Sequence, residues 1–361
     1  MLPLAILLLV NARIGSLAAA GLVVGALSVG RAAVSPVVGA LVDRMGQVWV
    51  LITGAAAQVI LLGGLVLALQ VEVPFPVALV VGAGAGAATP PIQACLRALW
   101  PVVANDDAAR EAAYSFDATS QELIWIAGPL LVSVLLIVAP PAVLVLICAA
   151  IGSVGVALFV LSPVPSLRVG SRDLKRSRLG ALASADLRAL LVTVMFTGLS
   201  WGALTFGVVA LAVSFGSSRA SGLLLALVSA GSISGGLAIG ARRWSWSTIK
   251  RYRALLAATV VCCVPLLFTH SIAFAAVASL LAGFPLASAF ASQYILTGRS
   301  AREGTTTEAF TWLSSVFALG ISVGYAGAGA ASQAIDVHAA VGLACLASVA
   351  AALLALLIRD R

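Results

Sequence analysis

Residues 39–47 read Gly39-Ala-Leu-Val-Asp43-Arg44-Met-Gly46-Gln47, a brief polar turn set between two long apolar runs at 17–38 and 48–69. That contrast between short polar turns and long apolar runs recurs along the chain. Of 361 residues, 61% are hydrophobic and only 9% are charged. Soluble domains carry about 25% charged residues, because a water-facing surface needs them. Too few polar groups exist here to clothe a globule, so most of the surface must meet lipid. In hydrocarbon the backbone has to pair internally, which leaves helices or closed barrels. Barrel strands would alternate at every second residue over about ten positions. Runs such as 48–69 and 142–161 are unbroken, so the segments are helices.

Working outward from the turn, twelve apolar segments can be laid out. They fall at 1–10, 17–38, 48–69, 76–98, 113–139, 141–161, 188–213, 220–241, 253–269, 271–295, 307–331 and 337–358. The fold class is therefore an all-α integral membrane protein of two six-helix bundles, 1–161 and 188–361. A charged central loop at 162–187, expected on the cytoplasmic surface, joins them. Leu174, Leu179 and Leu182 of this loop can dip into the headgroup region. The opening segment has ten residues, roughly 15 Å of helix against a ~30 Å hydrocarbon core. That shortfall predicts that the first helix begins upstream in the native protein. The halves echo each other: an offset of 201 sets Gly21 on Gly222 and Gly39 on Gly240, and an offset of 197 sets Glu111 on Glu308.

The net charge is +8, from nineteen Arg and two Lys against thirteen acidic residues. The basic residues gather in the connections rather than along one face. That placement argues against a nucleic-acid partner and for topology signals facing anionic headgroups. With the connections after even-numbered segments cytoplasmic, eighteen Arg and Lys lie inside. Only Arg13 and Arg219 lie outside, and Arg31 falls within segment 2. This bias places both termini in the cytoplasm if the first helix is complete. Five cysteines sit inside apolar runs and read as packing residues. Neither they nor the two histidines, His270 and His338, have metal-ligand spacing, and no cofactor or catalytic constellation is expected.

The turn at 39–47 resembles the G-x-L-x-D-R-x-G-[R/K] signature between helices 2 and 3 of the major facilitator superfamily, in its bacterial efflux branch. Twelve segments, a six-plus-six division and a basic central loop extend the resemblance over essentially the whole chain. It implies that Gly39, Asp43, Arg44 and Gly46 form a cytoplasmic gate motif in a bacterial cytoplasmic membrane. The Asp43 carboxylate would meet the start of the eleventh helix, where Thr305-Thr-Thr-Glu308 reads as a capping box. Gln47 departs from the family, which usually carries a cation there. Gly128-Pro129 in segment 5 resembles the bend of the antiporter branch, without that branch's full pattern.

Charges within the membrane carry functional weight, because each costs at least ~2.5–3.5 kcal/mol at a helix centre. Glu122 lies near the midplane of segment 5, Asp117 is shallower and closer to Arg110, and Arg31 lies within segment 2. Three readings of Glu122 stay open: a proton- or substrate-coupling group, a structural partner of Arg31, or a carboxylate in a wet cavity. Pro90 and Pro91 in segment 4 and Pro285 in segment 10 free backbone carbonyls, which suits a cavity wall as well as close helix packing. Gln93, Gln293, Trp125, Trp201 and Trp312 are candidate cavity-lining residues. The expected activity is secondary transport of a small organic solute by alternating access, as proton-coupled efflux by a monomer in the bilayer. Uptake or facilitated diffusion of a sugar or metabolite is the alternative, and a transport-dead scaffold or sensor is the alternative of another class.

Overall fold

The computed structural model describes residues 1–71, 73–104, 106–162, 179–217, 220–240 and 246–358, excepting the side chains of Leu17, Ala18, Ile126, Pro129 and Ser133. Most of the central loop, Arg219 and the last three residues therefore lie outside it. The described residues form fourteen α-helices. They are α1 (Leu2–Ile14), α2 (Leu17–Met45), α3 (Gln47–Gln70), α4 (Phe75–Ala87), α5 (Ile92–Val103), α6 (Asp107–Leu135) and α7 (Pro141–Val160), then α8 (Ala185–Ser214), α9 (Ala220–Gly240), α10 (Thr248–Cys263), α11 (Ile272–Gly283), α12 (Leu286–Ser300), α13 (Thr306–Ala334) and α14 (Val337–Leu354).

Fourteen helices arise from twelve apolar segments because two segments are broken. Segment 4 divides into α4 and α5 at Pro90 and Pro91, and segment 10 into α11 and α12 at Pro285. Proline lacks the N–H that the helix ladder needs and disfavours helical backbone in the residue before it. Ten spans are long and apolar enough to cross a membrane, counting each broken pair as one. Helix α6 is 29 residues long and, with three of its side chains outside the described residues, is not among those ten. Helix α1 runs for 13 residues rather than the ten expected, and remains short. Outward-facing Ile60, Val80, Leu158 and Leu346 are each more than two-thirds exposed, as a surface solvated by lipid requires.

The helices gather into two compact units. One comprises Met1–Leu99, Ala127–Gly180 and Glu303–Ser315; the other comprises Trp100–Ile126, Ala181–Arg302 and Val316–Arg361. The division passes through α6, one residue before Gly128-Pro129, and through α13. The first unit is built on Ile6, Leu9, Val23, Leu62, Leu65, Leu144 and Val145, with a smaller cluster of Val42, Leu51, Cys95 and Val156. The second is built on Leu204, Val208, Leu211, Leu224, Leu266 and Val341, among many alanines.

Glycine contacts repeat between the units. A Cβ at Gly30 would strike the Ala83 carbonyl, and one at Gly86 the Leu27 carbonyl, so α2 and α4 touch backbone to backbone. In the second unit Gly231 meets the Leu280 carbonyl and Gly283 the Val228 carbonyl, joining α9 to α11. These pairs correspond at the same offsets, 201 and 197, that relate the two halves of the sequence. Small residues let helices approach closely where lipid supplies no hydrophobic drive. Gly86→Ala and Gly283→Ala should therefore each cost about 1–3 kcal/mol. The measurement is thermal unfolding in detergent, and unchanged midpoints would contradict the close approach.

Candidate functional site: a helix-end latch and a buried carboxylate

Helix α2 carries Asp43 in its last turn, and in the first unit that side chain reaches the start of α13. Its Oδ1 accepts the Thr307 N–H at 3.1 Å and its Oδ2 accepts the Glu308 N–H at 2.9 Å. The first amides of a helix have no intrahelical acceptor, and the dipole there favours a negative charge. One carboxylate thus satisfies two orphan donors. The Glu308 amide, which a capping box would give to Thr305, goes instead to Asp43. Thr305 is buried just before the helix.

Contact continues along the same face of α2. A Cβ on Gly39 would strike Thr311 and the backbone of Glu308, and Ser315 Oγ donates to the Ala32 carbonyl at 2.9 Å. Beyond that point the face opens, since a Cβ at Gly25 or Gly21 would meet nothing within 4 Å. Gly46 has φ +87°, which lets α2 end and α3 begin within one residue. Arg44 is exposed at the turn, whereas Gln47 is buried with its Nε2 donating to the Cys95 carbonyl at 3.5 Å. The Glu308 carboxylate lies against Gly180, whose φ is +53° and whose position has no room for a Cβ.

In the second unit α6 presents Glu122 to α9. The residue is 3% exposed, its Oε1 accepts from Ser232 Oγ at 3.0 Å, and its Oε2 has no hydrogen-bond partner. Thr119, one turn earlier, packs where Gly236 leaves space. Among the described residues no cation pairs with Glu122, so the structural pairing with Arg31 is not the arrangement found. Arg31 sits at the middle of α2 with an accessible side chain. Asp117, expected to find water or Arg110, is 6% exposed, and Arg110 pairs with Asp107 at 3.0 Å. Depth counted along the sequence missed this because burial also depends on which neighbour covers the helix face.

Two buried basic contacts escaped sequence reasoning. Arg97, counted with the connections, lies inside α5 and is 4% exposed. Arg251 pairs with Glu111 at 2.9 Å, across 140 residues of sequence. The offset that aligns Glu111 with Glu308 was a signal for the acid, but nothing local marked its partner.

The lining candidates scatter. Trp125, Trp201, Phe290 and Phe317 form an aromatic row in the second unit, with successive ring centroids 5.5, 6.4 and 5.5 Å apart. Gln293 is buried beside Tyr252, whose hydroxyl donates to its Oε1 at 3.3 Å. Gln93 and Trp312 are half-buried in the first unit. At the break between α4 and α5, Thr89 Oγ1 accepts from Gln58 Nε2 at 2.8 Å, which gives the interrupted helix end a polar partner. Gly128 lies against Met1, while the side chain of Pro129 is outside the described residues.

A helical membrane chain whose halves repeat one another follows a plan common among secondary transporters. The family model described as Major Facilitator Superfamily matches residues 1–324, and the chain belongs to that family. A bacterial homologue of the iron transporter ferroportin, crystallised in an outward-facing state with soaked iron, superposes with TM-score 0.78 and 16% identity, covering 99% of this chain and 94% of that one. The human organic anion transporter MFSD10 gives 0.75 and 16%, covering 96% and 87%. The E. coli fucose:proton symporter FucP gives 0.71 and 15%, covering 99% and 97%. At these identities the likeness is one of fold. No curated protein matches by sequence.

Proposed function

We propose that this protein is a secondary active transporter exporting a small organic solute across the bacterial cytoplasmic membrane by proton-coupled alternating access, as a monomer, with cytoplasmic termini if the first helix is complete. The observation that carries the reading is the pair of amide hydrogen bonds from the start of α13 to Asp43. They join helices from the two halves of the sequence at the Arg-rich end and can be made or broken as a unit. A contact of this kind, made in one state and released in another, is what alternating access needs at a gate.

Coupling needs a group whose protonation is favoured in one state over the other. Glu122 supports that role: it is buried near mid-helix, holds one oxygen to Ser232 and leaves the other unsatisfied. Its charge must be met by a proton or by cationic solute as the site opens and closes. Export rather than uptake rests on the resemblance of the Gly128-Pro129 bend to the antiporter branch.

The test is flux in proteoliposomes of defined orientation, with candidate organic solutes and an imposed pH gradient. Solute should leave the cytoplasmic-side compartment faster when protons run the opposite way. Transport insensitive to the gradient would make the protein a facilitator, and accumulation with the proton flow would make it an uptake system.

A further inference from the structure

The second unit contains a cavity of about 30 Å³, walled by Thr197, Ser200, Trp201, Tyr252, Phe290 and Gln293. That volume takes one or two water-sized groups, since about 10–15 Å³ suffices for a water. Neither Asp43 nor the residues it binds line it.

Gln293 is the informative wall. Its side chain is 3% exposed, its Oε1 is taken by the Tyr252 hydroxyl at 3.3 Å, and its Nε2 finds no acceptor among the described residues. Nε2 is not among the fully enclosed unpartnered atoms, so it keeps access to the recess, where an acceptor can complete its hydrogen bond. The nearby hydroxyls already have partners: Ser200 Oγ bonds the Ala344 carbonyl at 3.0 Å and Ser348 Oγ at 2.6 Å, and Thr197 Oγ1 donates to the Val194 carbonyl. Among the described residues no charged side chain lines the cavity. Trp201 and Phe290, which wall it, belong to the aromatic row that ends at Trp125, itself 45% exposed. An accessible ring surface thus leads to a small, mostly apolar recess that carries one amide donor.

We infer that this recess is a solute subsite that receives one hydrogen-bond-accepting oxygen of an uncharged, ring-bearing solute. The oxygen accepts from Gln293 Nε2 while the ring rests against Trp201 and Phe290. A ring lacking the oxygen leaves the amide unpaired, and a charged group enters a recess with no counter-ion. The inference rests on the transporter reading for its biological meaning, but binding is measured without transport.

The experiment uses the purified full chain in detergent, with acetophenone and ethylbenzene as probes that differ in the carbonyl. Binding is followed by quenching of tryptophan fluorescence and by equilibrium dialysis. Acetophenone should bind saturably and at least about tenfold more tightly than ethylbenzene, the discrimination of a site built around one hydrogen bond. Gln293→Met, which keeps length and removes the donor, should abolish the preference while leaving ethylbenzene unchanged. Equal affinities in the wild type, or no saturable binding of acetophenone up to its solubility, would mean that the recess holds water only and would overturn the inference. The wild-type comparison decides even if the variant does not fold. Binding without flux would leave the subsite standing and sink the transporter reading, while flux without binding would do the reverse.

Discussion

Glu122→Gln, reconstituted in proteoliposomes, should lose pH-gradient-driven solute movement by roughly tenfold or more while retaining counterflow. The substitution preserves shape and the hydrogen bond from Ser232, and removes the titrating group. Exchange of solute against solute needs no net proton movement, so it survives; accumulation needs it, so it fails. A group of this kind works by biasing one conformation when protonated and the other when not, and the loss of that bias is the loss of coupling. Normal expression is also expected, because Glu122 pairs with no cation among the described residues and its replacement leaves none stranded. Full gradient-driven transport by a well-folded Glu122→Gln would eliminate the role, and Asp117, equally buried on the same helix, would be the next group to test.

Asp43→Asn is expected to open the Arg-rich end. The mutant amide can accept from only one of the Thr307 and Glu308 amides, and its NH₂ then faces the other donor. Hydrogen bonds to a charged group contribute about 1.5–3 kcal/mol, and the dipole contribution up to about 2 kcal/mol is lost with the charge. Even the lower figure shifts a two-state population by roughly tenfold. The readout is a Thr311→Cys reporter, buried where Gly39 of α2 approaches α13, in a background lacking the five native cysteines. Its labelling by a membrane-impermeant thiol reagent from the Arg-rich side should rise several-fold in the mutant. Unchanged labelling in a folded protein would reduce the motif to a turn that ends one helix and starts the next.

Much of this was legible before any coordinates. Long apolar runs with charges confined to short connections leave one solvent and one secondary structure, because an unpaired backbone group in lipid costs too much. The positions of Pro90, Pro91 and Pro285 marked where two segments break, since the missing N–H is a local property. The end of α2 was equally local: Gly46 supplies the φ of +87° that no β-carbon-bearing residue adopts easily. Even the halves' relation was faintly visible in the offsets 201 and 197, though a handful of Gly and Ala matches does not say what the glycines touch.

Tertiary structure decided everything that depends on which helix faces which. Sequence reasoning placed Asp43 near the start of the eleventh helix only through resemblance; the two amides it binds and the displacement of Thr305 from that role follow from packing. Asp117 was expected to reach water because only its place along one helix was counted, yet it is buried because other elements cover that face. Arg97 and Arg251 changed from topology charges to buried groups for the same reason. Composition and periodicity report the average environment of a segment, whereas the fate of a charge depends on a few atoms brought from a hundred or more residues away. By itself the sequence determined a helical membrane chain with breaks and turns in known places. Only the fold determined that Glu122 keeps one oxygen unsatisfied, because α9 brings it Ser232 and, among the described residues, no cation.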